Sequence, residues 1–166
     1  MILRSTLKSR IVTVTINKNV SYRRVRRDSD KEAIIERLTK KGEGRFSEIW
    51  KLMLFAACLG IYSKKREPLK KPDNGKSIDF SSFGSNPSWP GFIHLMGLVE
   101  IEDPRILNPD QEKIDQRIEI FEEYCNAGLS IMLQVMEPRE YNLDSLLSLL
   151  PRQTKISGVP DLPTQI

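Results

Sequence analysis

Histidine is nearly absent from this 166-residue chain and cysteine is sparse: His94 is the single histidine, and Cys58 and Cys125 are the two cysteines. Three such residues cannot build a four-ligand Cys/His zinc site. There is no glycine-rich phosphate loop, no nucleophile elbow and no acidic metal cluster of recognised spacing. His94 sits in an apolar helical pattern, so it reads as a structural or interfacial residue and not as a general acid or base. Glu100, Glu102 and Asp103 gather oxygen ligands of the kind that hold Mg²⁺, yet before Pro104 they read as a solvated acidic turn. The expectation is a protein that is not an enzyme and needs no cofactor or metal. The longest apolar run, Ile49 to Tyr62, is broken by Lys51 and falls short of the ~20 residues a membrane span needs. Residues 1–20 have Arg4, Lys8 and Arg10 spread through them, which does not suit a signal peptide. A soluble, cytoplasmic protein without membrane contact follows, in which both cysteines read as small buried hydrophobes and not as a disulfide.

What the chain does have is charge, divided along its length. Residues 1–76 hold 20 Lys and Arg against 8 Asp and Glu, a formal +12, while residues 77–166 hold 6 against 14, a formal −8. The net +4 hides this dipole. A basic half joined to an acidic half suits one surface for a polyanion and another for a protein. The cations are clustered. Arg23, Arg24, Arg26 and Arg27 fall within five residues, and Lys64, Lys65, Arg66, Lys70, Lys71 and Lys76 within thirteen. Such density can hold nucleic acid through phosphates without reading bases. Aromatics adjoin these runs only at Tyr22 and Tyr62, which gives little support to stacking on single strands.

The periodicities predict a mainly α fold: a compact helical domain of about five helices, with a short N-terminal β-strand and a basic extended loop. Residues 10–16, rich in Val, Ile and Thr, read as the strand. It needs a partner, either Ile78 to Phe80 or its twin in a dimer of the ribbon–helix–helix kind. Helices are expected near 30–41, 47–60, 89–100, 109–136 and 143–150. Ser29 and Glu32 have capping-box spacing, Gly42 suits the left-handed stop, and Ser47 suits the second cap. Helix 47–60 is apolar nearly all round and should be the most buried, with Ala56 and Ala57 admitting a close neighbour and Gly60 ending it. Phe92, Ile93, Leu95, Met96 and Val99 supply the buried face of the third helix. In the longest, opened by Asn108 and Pro109, a stripe of Ile114, Ile118, Phe121, Cys125, Leu129, Met132 and Met136 leaves Glu119, Glu122 and Glu123 off the core. Residues 63–88 are rich in turn formers, with Ile78, Phe80 and Phe83 forming an extended piece on the core. The domains expected are 1–22, strand and linker; 23–150, the helical unit; and 151–166, a disordered Pro-rich tail.

Several stretches resemble a family from bacterial DNA phosphorothioation gene clusters, the small Dnd system-associated proteins. They are Val25-Arg26-Arg27-Asp28, Phe46 through Gly60 ending in Phe55-Ala56-Ala57-Cys58-Leu59-Gly60, Arg66-Glu67-Pro68-Leu69, Phe92-Ile93-His94-Leu95, and Ile120-Phe121-Glu122-Glu123-Tyr124-Cys125-Asn126-Ala127-Gly128-Leu129. The family usually has alanine at the position of Cys125 and glycine at that of Ala127. The resemblance covers about residues 23–150, and a looser similarity in organisation links the chain to DndE, the small DNA-binding member of the modification complex. It implies a role beside sulfur modification of the DNA backbone and the linked defence against foreign DNA, and carries over no catalytic residues.

Two functions fit these readings. In the first, the protein is an accessory DNA-binding protein of a phosphorothioation-type system. Arg23, Arg24, Arg26, Arg27, Lys64, Lys65, Arg66, Lys70, Lys71 and Lys76 contact the backbone of double-stranded DNA. Glu119, Glu122 and Glu123 then face another protein of the complex or a second copy. In the alternative, it is a non-enzymatic adaptor that never touches DNA and docks its basic half on an acidic protein.

Overall fold

Five helices form where the apolar periods place them: α1 at Glu32–Thr39, α2 at Ile49–Tyr62, α3 at Ser88–Ile101, α4 at Gln111–Met136 and α5 at Leu143–Leu147. Short 3-10 turns occupy Ser29–Lys31, Phe80–Phe83 and Pro104–Leu107. The computed structural model describes residues 21–83, 88–136 and 141–150. The expected strand at 10–16 and the tail at 151–166 lie outside them. Among the described residues, extended pairing is limited to two isolated antiparallel bridges, Val25 with Ile78 and Asp28 with Pro72. The fold is mainly α.

The core is the crossing of α2 on α4. Every member of the α4 stripe, from Ile114 to Met136, is buried, and so are Leu52, Met53, Leu54, Ala56, Ala57 and Leu59 of α2. Small residues let the two backbones come nearly into contact. A Cβ built on Gly128 would lie 1.8 Å from the Ala56 carbonyl oxygen, and one on Gly60 would lie 2.4 Å from that of Tyr124. The pairing of 56 with 128 and 60 with 124 makes the helices antiparallel. Cys125 lies in the same seam, its thiol donating to the Met53 carbonyl at 3.2 Å, and burial pushes its pKa well up.

Some local expectations give way to packing. Gly60 does not end α2, which runs on to Tyr62, because this glycine serves the helix crossing. Neither Ser29 nor Ser47 caps a helix. Glu32 turns instead to Arg27 and Lys76, and Ser47 accepts from Lys51. α4 opens at Gln111 and not at Asn108 and Pro109, with Asp110 before it accepting from the Lys113 N–H at 2.9 Å. Phe80 to Phe83 is a 3-10 turn, though both phenylalanines are buried on the core as expected. Cys58 is exposed, on the outer side of α2. Leu95 and Val99 are exposed too, because α3 is apolar on all sides and only part of it meets α4. Asn142 does cap α5, accepting from Ser145 N–H at 2.9 Å; Gly42 adopts positive φ (84°), but in the turn after α1, which already ends at Thr39.

The end of α2 is unusual. Lys65 N–H bonds to the Gly60 carbonyl at 3.0 Å and Lys64 N–H to that of Ile61 at 2.9 Å, the paired bonds of a Schellman motif. The left-handed position of that motif favours glycine, yet here it is Lys64, with φ 51°. Lys64→Gly is therefore expected to raise stability by about 1 kcal/mol, read as a higher urea midpoint at unchanged m. An unchanged or lowered midpoint would show that the lysine side chain contributes more than its backbone strain costs.

Candidate nucleic-acid interface

The arginine segment is not a free linker. Val25 is fully buried and exchanges two 2.8 Å backbone hydrogen bonds with Ile78, so the flanking arginines are drawn onto the body. Arg23 donates through Nη1 and Nη2 to the two oxygens of Glu122 at 2.6 and 3.1 Å. Arg26 reaches the same carboxylate from its backbone N–H at 2.6 Å and from Nη2 at 3.1 Å. These bonds to Glu122 hold the Arg26 guanidinium above its usual pKa range despite partial burial. Arg27 is buried, donating to the Lys76 carbonyl and to Glu32. Arg24 is exposed; it donates to Ser77 and comes within 3.6 Å of Asp79.

The second cluster divides in two. Arg66 lies between Glu123 and Glu100, 2.5 Å from each. Tyr124 adds a 2.5 Å hydrogen bond to the other oxygen of Glu100. That bond, with help from Arg66, lowers the Glu100 pKa. Partial burial and the facing carboxylate push Tyr124 up to about 12. Lys76 pairs with Glu32 at 3.0 Å and Glu36 at 3.2 Å. Among the described residues Lys64, Lys65 and Lys71 have no ion pair, and Lys70 has only Glu67 at 3.9 Å, its side chain 79% exposed.

Lys64 and Lys65 are held by the turn that ends α2, whereas Lys70 and Lys71 are set in place by Asp28, which in the sequence stands out only as the end of the family-like stretch at 25–28. Its side chain is buried, and its carboxylate accepts the backbone N–H groups of Lys70 and Lys71 at 2.9 and 2.7 Å and the Asn126 amide at 3.2 Å. Asn126 also donates to the carbonyls of Glu67 and Pro68, and Glu67 N–H bonds to the Glu123 carbonyl. The loop main chain is thereby tied to α4 while its lysine side chains point to solvent. An amide at position 126, between Cys125 and Ala127 on a buried helix face, was the available sequence signal, since buried polar groups are there to bond.

The acidic face changes most. Glu122 is 1% exposed, so it is an internal acceptor and not a surface for a partner; its donors arrive from a segment nearly a hundred residues away. Glu123 is half-buried against Arg66, and Glu119 alone of the three is exposed. The Glu100, Glu102 and Asp103 group is not a metal cluster: Glu100 faces Arg66 and Tyr124, and Asp103 faces Arg105. Among the described residues no group of three or more His, Cys, Asp or Glu is placed to hold a metal ion, and no helix is long and apolar enough to cross a membrane. His94 has a buried Nδ1 without a partner, and burial, with Arg117 nearby, lowers its pKa.

A family model described as DNA sulphur modification system-associated protein 4 matches residues 24–161. No curated protein and no solved structure matches the chain.

Proposed function

Because this chain belongs to the family of DNA sulphur modification system-associated protein 4, we propose that it is a non-catalytic accessory protein of such a system that holds the backbone of double-stranded DNA on its lysine loop. The observation that carries this reading is the set of Lys64, Lys65, Lys70 and Lys71, all exposed on a main chain held at one end by the turn after α2 and at the other by Asp28. A pre-set array of cations releases counterions from DNA with little ordering cost. Arg24, half satisfied by Ser77, extends the array. Arg23, Arg26, Arg27, Arg66 and Lys76 belong to the frame, because each is already matched to a carboxylate.

Changing the four lysines together to alanine should weaken duplex binding at least tenfold at ~50 mM salt and reduce the log–log salt slope by about 3.6, as roughly 0.9 per lost contact implies. The loss should be equal across duplex sequences, since phosphates carry no sequence. Thermal stability should hardly move, because these charges are solvated. Fluorescence anisotropy with labelled duplexes reads the first two effects. Wild-type protein without duplex binding at that salt sinks the proposal. One observation favours a second reading, the adaptor: five of the ten candidate cations face internal carboxylates, while apolar side chains remain open on α2 and α3.

A further inference from the structure

From Ser88 to Val99, α3 contains no charged residue, and part of that uncharged surface is uncovered. Leu95 is 55% exposed and Val99 65%, and they line a groove of about 210 Å³ with Ile61, Phe92, Met96 and Tyr124, where the one charged group, Glu100, is already paired with Arg66. Absence of charge at the centre of an exposed apolar patch is the compositional mark of an interface core. Gly91, Leu95 and Val99 lie four residues apart on one ridge of the helix.

We infer that this face joins two copies of the chain, their α3 helices antiparallel about a two-fold axis at Leu95. The ridge itself argues for a second copy as occupant. In that register a residue the same number of places before and after Leu95 faces its counterpart, so Val99 of one copy meets Gly91 of the other. The position at Gly91 is open: a Cβ there would have no neighbour within 4 Å, which leaves room for the valine. Glu102, exposed and without an ion pair among the described residues, falls opposite the first turn of the other α3. A carboxylate is favoured at that positive helix end. Bulk meets a gap and negative charge meets a helix N-terminus, twice over, as an isologous contact requires. The inference is independent of the DNA reading, because none of Lys64, Lys65, Lys70 and Lys71 lines this groove.

Sedimentation equilibrium over roughly 5–500 µM, the range a small interface calls for, should show a reversible monomer–dimer equilibrium. Leu95→Glu and Val99→Glu should each weaken it at least tenfold with the helical circular dichroism unchanged, since both side chains are already half in water. The register has its own test in a Cys58→Ser background, which removes the exposed native thiol. Leu95→Cys, on the axis, should oxidise to a covalent dimer, as cysteine pairing needs Cβ atoms about 4 Å apart. Val99→Cys, facing Gly91, should not. A monomer throughout the range overturns the inference, even if another protein is found on this face. So does a dimer indifferent to both glutamates, or cross-linking as efficient at 99 as at 95.

Discussion

Gly128→Val is expected to leave little folded protein. The first added carbon would lie 1.8 Å from the Ala56 carbonyl oxygen, and the atoms in the way are backbone, not the end of a flexible side chain. Relief requires α2 and α4 to separate along the seam that holds most of the core. Overpacking of this kind exceeds the usual range, so we expect a loss of about 4 kcal/mol or more, much of the stability of a domain this size. Urea unfolding followed by circular dichroism measures it. Gly91→Ala, placed where nothing stands within 4 Å, is the control and should be neutral or gain up to about 1 kcal/mol from helix propensity. If Gly128→Val unfolded at the wild-type midpoint, the close crossing would be wrong.

The second large effect is expected at Glu122. Its carboxylate accepts from Arg23, from the Arg26 side chain and from the Arg26 backbone N–H, and its own side chain is fully buried. Glu122→Ala removes all of these at once and leaves two guanidinium groups facing a low-dielectric gap. Breaking one side of a buried ion pair costs ~3–5 kcal/mol; Arg23 and Arg26 are partly exposed and recover some hydration, so about 3 kcal/mol is expected. The loss should persist at high salt, because buried pairs are screened much less than surface ones. Arg23→Ala combined with Glu122→Ala should cost less than the sum of the two, as interacting partners do. Strict additivity in that double-mutant cycle would mean that the contact carries no coupling.

These two residues also mark how far the sequence could be read. The α2 and α4 elements were legible because a seven-member apolar stripe and a nearly uninterrupted apolar run each admit one secondary structure. The close approach at Ala56 was legible from its size. Gly60 was misread as a stop, since a glycine that admits a neighbouring helix and one that ends a helix look alike without the neighbour. Leu95 and Val99 read as core for a related reason: from Ser88 to Val99 α3 has no charged residue to show which side faces water. Glu122 could not be read at all, because what buries it is the arrival of Arg23 and Arg26 from the other end of the domain. The same long-range pairing reduced ten candidate cations to four lysines and Arg24. Charge clustering in sequence counts cations; only the fold decides which of them are already neutralised.

The tie between Asp28 and the loop has a consequence for proteolysis. Six Lys and Arg residues lie between positions 64 and 76, so by composition the segment is a target for a trypsin-like protease. Cleavage, however, needs a stretch of main chain free to lie extended in the protease cleft, and here the amides of Glu67, Lys70 and Lys71 are held by Glu123 and Asp28. Cutting after Lys70 must therefore wait for the loop to leave α4, and its rate follows the free energy of that local opening, not the exposure of the lysine side chain; the bond after Lys71 is refractory in any case, because Pro72 follows it. Around Lys70, a stretch that looks vulnerable by composition is protected by one buried carboxylate beneath it.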